Sequence, residues 1–117
     1  MTIDEIKELL DAEVLCCKEN VGNTVDSACG CDLMSDVLAY VKDQAVLLTG
    51  LVNPQVVRTA VMMDMVCIVF VRSKSPSEEM LKLAEDNGIV IMKTDMRLYE
   101  ACGILYSNGL IGEVTKA

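Results

Sequence analysis

Histidine and tryptophan are both missing from these 117 residues. Without an imidazole no Ser–His or Cys–His pair can form, which closes most routes to nucleophilic catalysis. Any metal would have to be held by thiolates and carboxylates. Aromatic residues are scarce, with Tyr40, Phe70, Tyr99 and Tyr106 the whole set. The core must therefore come from Val, Leu, Ile, Ala and Met. Ten basic residues stand against eighteen acidic ones, a net charge of −8. A chain this acidic, with no basic stripe, repels phosphate backbones, so nucleic acid is not an expected partner. The longest apolar run, "MVCIVFV" (65–71), is too short to span a bilayer. The opening "MTIDEIKELL" has neither the charged leader nor the apolar segment of a signal peptide. These absences predict a cytoplasmic protein with no membrane partner.

What is present is an ordinary globular balance: 52% hydrophobic and 24% charged residues, enough to bury a core in one domain of this length. Thr2 and Glu5 form a capping-box pattern, and Ile3, Ile6, Leu9 and Leu10 then share a helical face. "AEVLCC" (12–17) reads as a short strand, "ENVGN" (19–23) as a turn and "TVDSACGCD" as a second strand, with Gly30 marking a bulge or close approach. Leu33, Met34, Val37, Leu38 and Val41 repeat at helical spacing, with Asp32 or Ser35 as cap.

From residue 45 the rhythm is regular. "AVLLTG" is a continuous apolar strand. Asn53–Pro54 opens a helix burying Val56, Val57, Ala60 and Val61, and "VCIVFV" is again apolar throughout. Ser75–Pro76–Ser77–Glu78 reads as a capping box and Asn87–Gly88 as a stop. "IVIMK" (89–93) is the next strand. Thr94 or Asp95 caps a last helix with Leu98, Ala101, Cys102 and Leu105 on one face, and Asn108–Gly109 closes it. The tail 111–117 has little pattern and reads as loose or as an edge strand. Strands joined by such helices run parallel. The expected fold is a single α/β domain, a small, mostly parallel sheet with helices on both faces and a core at about residues 2–110.

Three sets of residues carry chemistry worth weighing. Six cysteines without a C-x-x-C spacing give neither a disulfide framework nor an announced zinc site. Cys29 and Cys31 read as packing, as do buried Cys67 and Cys102. The alternative is a thiolate site in which Cys16, Cys17, Cys29 and Cys31 come from neighbouring strands. The second set lies where parallel strands end, beside helix N-termini: Thr49, Gly50 and Asn53, then Arg72, Ser73, Lys74 and Ser75, then Lys93, Thr94 and Asp95. Three basic residues and three capped helix starts there suit a small anion such as a nucleotide phosphate. The same loops also occur in any α/β domain as plain scaffold. Third, Asp32 and Asp36 share a helical face as an acid pair or, more simply, as caps and exposed groups. Met34, Leu38, Met62, Met63 and Met65 form an apolar set suited to a homodimer contact or to the core.

The run "SDVL" within "CDLMSDVLAYV", the strand ending in Thr-Gly, "NPQVVRTAV", "SPSEEMLKLAEDNGIVIMKTD" and "LYEACGILYSNG" together resemble the DRTGG domain. That resemblance covers roughly residues 2–110 and implies a stand-alone copy of a module found in the regulatory regions of some phosphotransacetylases and CBS-domain pyrophosphatases. It is also related to the N-terminal domain of HPr kinase/phosphorylase. The Asp-Arg-Thr-Gly-Gly run itself is absent, so no role tied to it is carried over. No G-x-x-x-x-G-K-[ST] loop is present either, so kinase activity is not expected. The resemblance implies a dimerising, ligand-sensing or docking module. The reading is a non-catalytic regulatory or interaction module, without a cofactor, that pairs with itself. It would sense a small anionic ligand at the strand-end rim and act on a partner enzyme or signalling protein. The alternatives are a metal- or redox-responsive protein using the cysteines and, last, a small enzyme working at the same rim.

Overall fold

A computed structural model describes residues 1–40, without the Tyr40 side chain, and 44–111. Helix α1 (Ile3–Leu10) begins where the sequence places it: Thr2 Oγ1 accepts from Glu5 N at 3.2 Å while Thr2 N donates to Glu5 Oε1 at 3.0 Å. The reciprocal bonds satisfy two orphan donors of the first turn, and Ile3, Ile6 and Leu10 face the core. Strand β1 (Glu13–Cys16) follows, then a 3-10 turn over Lys18–Asn20, β2 (Ser27–Gly30) and α2 (Met34–Tyr40). The βα rhythm then gives β3 (Ala45–Thr49), α3 (Pro54–Met62), β4 (Cys67–Phe70), α4 (Glu78–Asp86), β5 (Val90–Lys93) and α5 (Leu98–Ser107). The expected places of Val41 and of residues 112–117 lie outside the described residues.

The five strands form one sheet in the order β1-β5-β4-β3-β2. Strands β2 to β5 are parallel neighbours in chain order, while β1 joins antiparallel to β5, with a bulge between Val14 and Cys16. Helix α3 packs on both α2 and α4, and α1 packs on α5, so the helices cover the sheet as two separate groups. Right-handed crossovers between successive parallel strands put α2, α3 and α4 on one face and leave the other to α1 and α5. Every residue of β3 and β4 is buried, which explains their unbroken apolar runs.

Two helix starts differ from the sequence expectation, and a third lacks its cap bond. Helix α4 starts at Glu78, capped by Ser77 (Oγ accepting from Met80 N at 3.3 Å), not by Ser75; the Ser75 hydroxyl accepts from Lys93 Nζ at 3.3 Å instead. Helix α5 starts at Leu98, because Thr94 and Asp95 have other partners. Asn53 stands at the N-cap of α3 without making a side-chain cap bond. Of the proposed contact methionines, Met65 is in the core and Met62 is 64% exposed.

Candidate functional site

Because β2 to β5 are parallel, their carboxyl ends, Gly30, Thr49, Phe70 and Lys93, form one rim. The chain leaves β4 toward α4 and β5 toward α5, so adjacent loops part to opposite faces there. Such a parting is where open α/β sheets make a crevice. Here the two loops close it on each other. Arg72 and Ser73 take left-handed backbone conformations (φ 56° and 57°), which costs each of them roughly 1–2 kcal/mol. That turn aims Arg72 N at Met96 O (2.8 Å) and Ser73 N at Thr94 O (2.9 Å). Ser73 Oγ also bonds Asp95 Oδ1. Thr94 is buried, its hydroxyl donating to Leu10 O at 2.7 Å and accepting from Met96 N at 3.3 Å. Of the expected rim residues, Ser73, Ser75, Lys93, Thr94 and Asp95 thus have partners within the protein.

At the β2–β3 end the rim carries a residue that the sequence reading placed elsewhere. Asp32 does not cap α2. Its Oδ1 accepts from Thr49 Oγ1 and from Gly50 N, both at 2.8 Å. Thr49 Oγ1 in turn accepts from Leu51 N at 3.1 Å. The Gly50 N–H holds the Asp32 carboxyl below the usual carboxylate range against an opposing cost of burial, with the Thr49 hydroxyl and the Arg72 charge adding to the effect. The Arg72 guanidinium lies against Gly50 so closely that a Cβ there would collide with it. Three residues beyond Gly50, Asn53 Oδ1 is buried with no partner. The rim therefore joins a guanidinium, a carboxylate fixed through one oxygen and an orphaned amide oxygen. No periodicity marks Asp32, since its role is set by a neighbouring strand end 17 residues on.

The cysteines fall into two places. Cys16 and Cys17 lie at the β1 edge, while Cys29 and Cys31 lie at the β2 edge, so the strands that carry them are the two outermost and not neighbours. The four thiols are not brought together, and no group of three potential metal ligands occurs among the described residues. Burial pushes the Cys17 thiol up to about 12 and the Cys29 thiol up to about 11, and it raises Cys16, Cys67 and Cys102 as well. Cys102 Sγ packs on Gly30, where a Cβ would collide with it. The sequence signal at Gly30 is thus a close approach of α5 rather than a bulge.

Concave surfaces also lie along α5. One of about 660 Å³ runs along α5 past Tyr99, Gly103 and Tyr106, and one of about 320 Å³ lies between α5 and β2 at Ala28 and Gly30.

The family model for the DRTGG domain matches residues 5–107. The chain belongs to the DRTGG family. Among solved structures, this DRTGG domain is similar to the CBS and DRTGG domains of the regulatory region of Clostridium perfringens pyrophosphatase, complexed with the activator diadenosine tetraphosphate. The likeness has a TM-score of 0.71 at 16% identity and covers 89% of this chain. This DRTGG domain spans 45% of that longer chain. No curated protein matches it.

Proposed function

We propose that this DRTGG domain is a non-catalytic regulatory module that binds a small anionic, nucleotide-like ligand at the strand-end rim and acts on a partner enzyme or signalling protein as a homodimer. The observation that carries the reading is Arg72, a cation held in a left-handed conformation against Gly50 at the ends of β3 and β4. Strained residues of this kind persist where the surroundings enforce them, and they concentrate at ligand clamps. Family membership supports the regulatory reading, as does the regulatory region of the similar pyrophosphatase, whose complex holds a nucleotide activator.

The dimer reading rests on α5, where Tyr99 is 90% and Tyr106 65% exposed beside the outer edge of β2. Exposed aromatics next to an unpaired edge suit a contact between copies.

Calorimetry with tripolyphosphate tests the site. The wild type should bind it, and Arg72→Ala should lose at least about tenfold in affinity, the scale of one charge-assisted hydrogen bond. Equal binding by both proteins would sink the rim as an anion site. Sedimentation equilibrium tests the pairing: a mass twice that of one chain, halved by Tyr106→Glu, is the expected result.

A further inference from the structure

We infer that Asp32 contacts the ligand, accepting hydrogen bonds from the ribose hydroxyls of a ribonucleotide whose phosphates lie toward Arg72. This rests on the anion-binding reading of the rim and deepens it. The argument starts from which rim atoms remain available. The Thr49 hydroxyl and the Gly50 N–H, two donors that an anion would want, are already taken by Asp32 Oδ1. Thr94 is taken by Leu10 and Met96 and the Ser73 hydroxyl donates to Asp95, while Lys93 spends one of its donors on Ser75. Asp32 Oδ2 makes none of the hydrogen bonds among the described residues, and Asn53 Oδ1 is buried without a partner. Asp32 Oδ2 is thus the open acceptor within reach of the Arg72 charge. A bare polyphosphate uses the Arg72 cation but offers this acceptor no donor, so it should bind the rim more weakly than a ligand that also carries hydroxyls. A ligand with hydroxyl donors at one end and phosphates at the other matches both kinds of group.

The position of the carboxylate narrows the ligand further. Asp32 follows the end of β2 and is pinned by the end of the adjacent strand β3, ahead of the N-terminus of α3. In dinucleotide-binding sheets an acidic residue takes the ribose hydroxyls while a helix start takes the phosphates, and the layout here is comparable. Apolar surface flanks the carboxylate in both loops: Leu33, next to Asp32, is 58% exposed, and half-buried Leu51 and Val52 follow Gly50. Such surface suits the face of a base.

The test is calorimetry with ATP, 2′,3′-dideoxy-ATP and tripolyphosphate on the wild type and on Asp32→Asn. The asparagine keeps an oxygen for Thr49 and Gly50 but turns the second acceptor into a donor, so anchoring survives while hydroxyl acceptance does not. Wild-type protein should bind ATP at least about tenfold more tightly than the dideoxy analogue, the scale of a lost hydrogen bond to a charged group. Asp32→Asn should bind the two alike. Equal wild-type affinities for ATP and its dideoxy analogue would overturn the inference and leave the rim reading standing, provided Arg72→Ala still loses tripolyphosphate. Discrimination that survives in Asp32→Asn would overturn it as well. If the wild type binds none of the three probes, both readings fall together.

Discussion

Six thiols in one small chain invite a chemical reading, yet burial makes five of them, Cys16, Cys17, Cys29, Cys67 and Cys102, poor nucleophiles. The thiolate is the reactive form. Burial pushes Cys17 up to about 12 and Cys29 up to about 11, and Cys67 is wholly enclosed in β4. Native protein treated with iodoacetamide at pH 8 should therefore label Cys16, Cys17, Cys29 and Cys67 far more slowly than the same protein in denaturant. Rapid native labelling of these four, read by mass spectrometry, would contradict the burial argument. The sign on stability follows from the same shift. Because the folded state prefers the protonated thiols, stability should fall as pH rises above the unfolded thiol value of about 8.5. That Cys67 is buried was legible from the unbroken apolar run that carries it. That Asp32 reaches Thr49 and Gly50 was not, because the bond crosses from one strand end to the next and leaves no trace in local spacing.

At the scale of elements, the sequence revealed best what is repetitive. Apolar runs marked β3, β4 and β5, the Thr2–Glu5 box marked α1, and Asn-Gly pairs marked the ends of α4 and α5. Helix starts were read less well where more than one capping residue stood in a row. Ser75 and Ser77 both look like caps for α4, but Ser77 makes the cap bond while Ser75 accepts from Lys93 on another strand. Thr94 and Asp95 look like caps but serve the junction of three chain segments. The Gly30 signal was legible as a special position, though its cause lies 72 residues away in Cys102. Gly30→Ala drives a methyl into Cys102 Sγ and should cost about 1–3 kcal/mol, the usual range for overpacking. Cys102→Ala removes the obstructing sulfur, so the double variant should recover part of that loss in denaturant melts. An unchanged midpoint for Gly30→Ala alone would show that α5 shifts freely over β2.

For the whole molecule, strand order decides which parts depend on which. The parallel direction of β3 to β5 was readable from short connections through helices, whereas the antiparallel placement of β1 beside β5 was not, since no local rule couples residues 13–16 to residues 91–93. Strands β3 and β4 are covered on both faces and flanked by paired strands, so their amides should open only with global unfolding. Native-state hydrogen exchange should find them slowest, with the edge strands β1 and β2 exchanging earlier. Uniform protection across all five strands would contradict this gradient.

The pairing of β1 with β5 also bears on how the protein is made. Strands β2 to β5 lie side by side in the order of their synthesis, so each can dock on the one before it as the chain emerges. Strand β1 emerges ahead of them all, yet its partner register, Glu13 opposite Lys93, requires the last strand. Of the five strands β1 is made first, and it must keep its hydrogen-bonding edge unpaired until β5 has been translated, a long-range closure of the kind that slows folding.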